Sequence, residues 1–367
     1  MKVICNRGAL QEALNIAGIV SSARTPKPVL QCVKLTATED RLTIAATDLE
    51  VAIRYSDTQV QVETPGETLV PADRLRDIVR ESIDDTLSIE LAGEQLSIKG
   101  GDSHFKIFTQ NPAEFPPVPG FEGEADFKVQ GKQLKQLISQ TLFAAAKEAA
   151  RYAFNGVLMT VKNKRLILVA TDGRRLALAK GDLMEAENVA DLGNAIVPAK
   201  TMNLVDKLIS DPDEAISVKL TENQIIFHTA DATLTSNLIE GQFPPYEDVL
   251  PKECDRKMIA GTADLLSAVR RSALLITNDS KGVKLAFTKS GLTLSSRNPE
   301  AGEATINFAG KFEGADIEIG FNPIFITDAL KVVNTDEVSF EMRAANLAGL
   351  LKGGNNFSYV IMPVNLQ

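Results

Sequence analysis

The stretch Arg41-Leu42-Thr43-Ile44-Ala45-Ala46-Thr47-Asp48-Leu49-Glu50 reads as a strand that alternates and then stops in a Thr-Asp turn. It returns as Arg165-Leu166-Ile167-Leu168-Val169-Ala170-Thr171-Asp172-Gly173-Arg174, an offset of 124 residues. A weaker copy, Gly291-Leu292-Thr293-Leu294-Ser295-Ser296-Arg297-Asn298, follows 126 residues later. A second landmark keeps the same period. Val70-Pro71-Ala72 and Val197-Pro198-Ala199 stand 127 residues apart, and Phe321-Asn322-Pro323 lies about as far again along the chain. Proline costs no hydrogen bond in the first turn of a helix, so each is a helix start. Each of these helices runs into an acidic turn and a strand. A third landmark, Glu114-Phe115-Pro116-Pro117-Val118-Pro119, is echoed by Gln242-Phe243-Pro244-Pro245-Tyr246, and such proline-rich segments suit extended links.

One period shared by three landmarks predicts three equivalent domains, at 1–123, 124–252 and 253–367. Within each, the expected order is strand, helix, several strands, helix, several strands. Leu134, Leu137, Ile138 and Leu142 follow the spacing of one apolar helix stripe, as do Leu75, Ile78, Val79 and Ile83. Thr86 to Leu91 alternates as an antiparallel strand with one wet face would. Two helices on one side of antiparallel sheet make an α+β domain.

The formal charge of −9 over 367 residues speaks against a nucleic-acid binder only if the charge is spread evenly. It is not. The helical windows 9–20, 72–82, 131–147, 199–209, 262–276 and 323–333 hold 11 Lys and Arg against 7 Asp and Glu, so the rest of the chain carries −13. Helices gathered on one surface would attract phosphate while the remainder repels it. Arg76 with Arg80, and Lys132 with Lys135, stand one turn apart off the apolar stripes. Lys147, Lys200, Arg270 and Arg271 add to the basic set. No zinc-finger spacing or basic-aromatic RNA motif is present, so contact would be to a nucleic-acid backbone, without sequence preference.

Enzyme chemistry has little material. Two histidines, His104 and His228, and three widely spaced cysteines, Cys5, Cys32 and Cys254, make no triad, zinc site or disulfide framework. Neither a cofactor nor a metal is expected. The start of the chain lacks a signal-peptide stretch and no apolar run spans a membrane, so a cytosolic, reduced protein is expected. One rival reading is a hydrolase using paired carboxylates, Asp84 with Asp85 or Asp211 with Asp213. These acids recur in turns, where solvated Asp residues ordinarily sit. A second rival is a repeat scaffold that binds proteins and never encircles DNA. Lys99-Gly100-Gly101 and Lys352-Gly353-Gly354 lack the spacing of a phosphate cradle.

Certain residues carry a family resemblance: Ala170 to Leu176, Arg151-Tyr152 with Asn155-Gly156, Phe243-Pro244-Pro245-Tyr246 with Val249-Leu250-Pro251, Asn298-Pro299-Glu300, and the ending Tyr359 to Val364. Together they resemble the beta subunit of bacterial DNA polymerase III, the sliding clamps, along the whole chain. The resemblance implies a head-to-tail dimeric ring whose helices line a central hole and whose sheets form the rim. It implies nonspecific, topological binding of double-stranded DNA that confers processivity. The implied partners are the replicative polymerase alpha subunit, an ATP-driven clamp loader and other proteins with clamp-binding motifs. Their peptides would dock on Phe154, Thr171, Gly173, Arg175, Leu176, Pro244, Val249, Val360, Met362 and Pro363. Arg24, in a loop with Lys27, matches a position that contacts the DNA backbone in relatives, and Tyr152 is placed on the DNA side. Leu274 and Leu275 match one side of the dimer seam, with Phe105 and Ile107 on the other. Glu148, Ala153 and Asn365 depart from the family's usual residues.

Overall fold

A computed structural model describes residues 1–21, 25, 27–147, 152–184, 191–277 and 282–366. Its contacts divide the chain into two compact units, one of residues 1–132 and 200–238, the other of 133–199 and 239–367. The middle repeat is therefore shared between them, and the cause lies in the strand pairing.

In the first unit an eight-stranded sheet runs in the order Phe127–Gln130, Ala215–Leu220, Gln224–His228, Ala232–Asn237, Val51–Asp57, Leu42–Thr47, Cys32–Ala37, Gly66–Pro71. Its neighbours are antiparallel throughout. Strands of the first and second repeats meet at its middle, where Ala232–Asn237 pairs with Val51–Asp57. A five-stranded antiparallel sheet, Val60–Thr64, Lys2–Asn6, Thr86–Ala92, Gln95–Lys99, His104–Phe108, completes the unit. The helices Arg7–Val20 and Ala72–Glu81 pack on one another, and the first also covers Val51–Asp57 and Leu42–Thr47. Leu10, Ala13, Leu14, Ala17 and Val20 are sealed on its inner face at 0–1% exposure.

The second unit repeats the plan. Its nine-stranded sheet runs Leu192–Pro198, Gly156–Lys162, Arg165–Thr171, Arg175–Asp182, Phe357–Ile361, Gly349–Gly353, Glu337–Met342, Arg256–Gly261, Lys311–Glu313. Here Arg175–Asp182 of the second repeat pairs with Phe357–Ile361 of the third. A four-stranded sheet, Gly302–Phe308, Gly291–Asn298, Val283–Thr288, Ile317–Phe321, lies with the helices Thr262–Ser272 and Pro323–Val332. Phe287, Phe312, Phe321 and Phe340 fill its core with ring centroids 5.4–5.8 Å apart.

The acidic turns do the same work three times. The amides of Arg7, Gly131 and Thr262, each at the start of its helix, donate to the carbonyls of Asp85, Glu214 and Asp336. The paired carboxylates are likewise spent on turns. Asp84 Oδ2 accepts from the Gly101 amide at 2.8 Å, and Asp211 Oδ1 from the Asp213 amide at 2.9 Å.

Element boundaries differ from the sequence reading in five places. The first helix begins at Arg7, because Asn6 Oδ1 accepts from the Ala9 amide and caps it there. The helix expected over 131–147 ends at Thr141, whose hydroxyl bonds back to the Leu137 carbonyl before a 3-10 turn, Leu142–Ala144. Leu142 thus falls outside the helix that buries Leu134, Leu137 and Ile138. Ile83 likewise lies beyond the helix Ala72–Glu81 and is 77% exposed, not part of its stripe. The helix Thr262–Ser272 stops before Leu274 and Leu275, and the proline-rich echo contains one helical turn, Tyr246–Val249.

Candidate functional site

The repeated Thr-Asp phrase folds as the turn joining strands Arg165–Thr171 and Arg175–Asp182 in the second unit. Asp172 Oδ1 accepts from the Arg174 and Arg175 amides at 2.9 and 3.1 Å. The Thr171 hydroxyl donates to the Arg175 carbonyl at 2.7 Å and accepts from the Gly173 amide at 3.1 Å. Gly173 takes φ +86°, a region where a side chain is strained, and a Cβ there would stand 3.6 Å from the Phe154 ring. An aspartate that gathers its own downstream amides is a preferred way to tighten such a turn.

Arg175 locks the turn from within. The residue is 9% exposed, and its guanidinium meets Asp172 Oδ2 at 3.0 Å, Asp328 Oδ2 at 2.9 Å and the Phe143 carbonyl at 2.9 Å. The Phe325 ring lies 4.4 Å from it. Burial works against its charge, while Tyr359, Asp328 and Asp172 hold its pKa up. Burial likewise holds the Tyr359 phenol well above its ordinary value. Arg175 is therefore a positioning residue.

Beside the turn lies an apolar floor. Leu176 is paired with Val360, and Val360 with Leu350 on its other side. Leu158, Ile167, Val169, Leu178, Ile196 and Tyr246 pack with them, and Phe243, Leu250 and Ala153 cover the cluster in part. After Ile361 the Met362 amide donates to the Arg174 carbonyl at 2.9 Å, beside the turn, and the Val364 amide to the Gly320 carbonyl at 2.8 Å. Val249 is 43% and Met362 44% exposed, beside half-buried Phe154, Pro244 and Pro363. Exposed apolar side chains over a buried apolar floor, next to an open Gly173, suit an extended peptide with large apolar residues. Of this buried floor the sequence reading named Leu176 and Val360. It passed over Tyr246 and Leu250, although both stand in a segment it singled out. It also passed over Asp328, Phe143 and Phe325, which only the fold brings to Arg175.

The expected DNA-facing set is spread over both units. Lys27, Lys132, Lys147, Arg270 and Arg271 are exposed. Arg76 pairs with Asp73 at 2.8 Å, and Arg80 with Asp77 and Glu81 at 2.9 Å each. Lys200 pairs with Asp48, the counterpart of Asp172. Lys135 is half-buried. Tyr152 lies in the 3-10 turn Tyr152–Asn155, and Arg24 and Glu148 lie outside the described residues. Of the seam residues, Leu274 is 77% and Phe105 41% exposed, Leu275 is half-buried, and Ile107 faces the core of its own unit at 8%. Phe108, which the sequence reading omitted, is 73% exposed.

Comparison with known proteins gives one answer over the whole length. Residues 1–119 match the N-terminal domain of the DNA polymerase III beta subunit, 128–245 its central domain and 247–365 its C-terminal domain. The beta sliding clamps of Pseudomonas putida and Escherichia coli K12 are 34% and 30% identical across all of both chains. Crystal structures of the Bacillus subtilis sliding clamp and of the Pseudomonas aeruginosa clamp bound to griselimycin superpose over all of both chains. Their TM-scores are 0.94 and 0.93, at 26% and 32% identity.

Proposed function

We propose, from the premise that this chain belongs to the DNA polymerase III beta-subunit family, that two copies close into a ring around duplex DNA. The chain is a DNA sliding clamp of three clamp domains, serving polymerase processivity in DNA replication. The reading takes the domains as 1–123, 124–252 and 253–367. The helices line the hole, the sheets form the rim, and the cytoplasm is the place of action. No catalytic step is assigned, since the candidate acids serve turns.

The observation that carries the ring is a pair of open strand edges. His104–Phe108 ends the five-stranded sheet with Phe105 and Phe108 exposed. Gly302–Phe308 ends the four-stranded sheet with most of its residues open, and the helix Thr262–Ser272, which leads into Leu274 and Leu275, packs on it. An unpaired apolar edge is a template for another chain. Joining the first edge of one copy to the second edge of its partner, twice, closes a two-chain ring. Phe105, Leu274 and Leu275 fill that seam, and Ile107 supports it from inside.

Within the ring, duplex DNA is held by enclosure. Lys27, Lys132, Lys147, Arg270 and Arg271 offer exposed charge to its backbone, and Arg24, Tyr152, Lys135, Arg76, Arg80 and Lys200 complete the set. The groove beside Gly173 takes clamp-binding peptides of the polymerase alpha subunit, the clamp loader and other partners. Light scattering tests the assembly: the expected mass is about twice the 39.6 kDa chain. A stable monomer or a trimer contradicts it.

A further inference from the structure

The two places where repeats join within a sheet are built alike and charged differently. In the second unit the Lys180 amide donates to the Asn356 carbonyl at 2.8 Å, beside Gly181. Arg165 there meets the Asn356 side chain at 3.0 Å and Asp182 at 3.2 Å. In the first unit the Ser56 amide donates to the Asp231 carbonyl at 2.7 Å. The pairing registers, Ala179 with Phe357 and Tyr55 with Ala232, place Ser56 at Lys180, Asp57 at Gly181 and Asp231 at Asn356. In the second unit the carboxylate at the joint, Asp182, has a guanidinium partner. In the first, Asp57 and Asp231 make no ion pair among the described residues.

Asp57 is only 3% exposed. Its Oδ1 accepts from the Gln59 amide at 2.7 Å, while its buried Oδ2 meets no donor among the described residues. Glu214 Oε1 is buried and unpartnered in the same way, its Oε2 taking the Ala230 amide at 3.2 Å. The charged groups acting here come from every side: Asp231 from the adjoining turn, Glu214 from the second repeat, Glu12 from the covering helix. Tyr55 lies on the same strand and Cys5 on the neighbouring sheet. All are acids. A buried carboxylate with an orphan oxygen, among acids and with no cation bonded to it, is stabilised by a proton. Among the described residues no group of three or more His, Cys, Asp and Glu is placed to hold a metal ion instead.

We infer that the strand joint between the first and second repeats is proton-linked: Asp57 binds a proton when the joint is tight and releases it when the joint loosens. Burial first, and then Asp231, raise the Asp57 carboxyl above its ordinary range, against the Gln59 amide, which lowers it. Burial together with Glu12, Asp231, Asp57 and Glu214 pushes the Tyr55 phenol up to about 12. The sign follows. A carboxyl that titrates higher in the folded chain than in the unfolded one costs stability as pH rises past the ordinary carboxylate range. Of the two joints, the first is therefore the one that yields at neutral and alkaline pH.

Three measurements on the intact dimer test this. The Asp57 carboxyl, followed by carbon NMR, is expected to titrate above the ordinary value of about 3.9, and a midpoint at or below that value overturns the inference. The Asp57→Asn variant is expected to melt above the parent near about pH 8, with the gap closing toward about pH 4.5. An equal or lower melting temperature at the higher pH contradicts the inference. Hydrogen-exchange protection is expected to be lower at the Ser56 amide than at Lys180 near about pH 8, and to rise at Ser56 in Asp57→Asn. Equal protection at the two amides, unchanged in the variant, also overturns it.

Discussion

Leu49 sits at φ +78°, a conformation that bulky residues rarely adopt, in a turn whose second-repeat counterpart uses Gly173 at φ +86°. The hydrogen bonds explain why it is held there. Asp48 Oδ1 accepts from the Glu50 and Val51 amides, and the Thr47 hydroxyl bridges the Leu49 amide and the Val51 carbonyl, as in the second repeat. In the third, Asn298 Oδ1 gathers the Glu300 and Ala301 amides. The Thr-Asp signal was thus legible from sequence, because a side chain that bonds two and three residues ahead needs only local chain. A leucine disfavours this conformation, and the turn is strong enough to impose it. Leu49→Gly is expected to stabilise the fold by up to about 1 kcal/mol, and Gly173→Ala to cost about 1 kcal/mol, both read from urea midpoints. Arg175 was legible only as a match to the family, since Asp328 and Phe143 are far away in sequence. Arg175→Met takes the shared guanidinium from Asp172 and Asp328 and is expected to cost about 3 kcal/mol, with loss of peptide binding as the turn loosens. A stability change under 1 kcal/mol there would make the ion network incidental.

Elements were readable where one face had to be buried and misread where side-chain bonds end them. The stripe through Leu75 and Val79 predicted its helix, but nothing apolar marks the stop at Glu81, where the Ser82 hydroxyl bonds back to the Ile78 carbonyl at 2.7 Å. The C-terminal strand shows what periodicity leaves out. Phe357–Ile361 lies inside the nine-stranded sheet, with Tyr359 at 0% exposure. Cutting the chain at Tyr359 would therefore dismantle the sheet, and a test of the tail has to cut after Ile361. That truncation is expected to abolish binding of a Gln- and Leu/Phe-containing clamp-binding peptide in calorimetry. Met362→Ala is expected to weaken it by about 1–3 kcal/mol and to leave the dimer mass unchanged. Unchanged affinity, or two sites per chain, would move the groove elsewhere. If Leu274 and Leu275 fill the proposed seam, Leu274→Ala with Leu275→Ala is expected to shift the dimer toward monomer in dilution series, since truncating a leucine that assembly buries costs about 2–5 kcal/mol.

At the scale of the whole chain, the triple period carried the fold, because equivalent repeats repeat their turns, caps and helix starts. What the period did not disclose is that the sheets run through the repeats, so that the joints are main-chain ladders and not flexible links. Segregated charge on the helices pointed to DNA despite the formal −9. Pairing of Arg76, Arg80 and Lys200 with nearby acids reduces the charge those three present, so direct affinity for DNA is expected to be weak and lost steeply with salt. Retention has to come from closure. The decisive measurement is retention on closed circular duplex DNA after loading by the clamp loader and a high-salt wash, before and after the circle is cut. The protein is expected to stay on the closed circle and to leave within the time needed to slide off the linear ends. Equal retention on closed and cut DNA, or loss from the closed circle in the wash, would contradict encirclement.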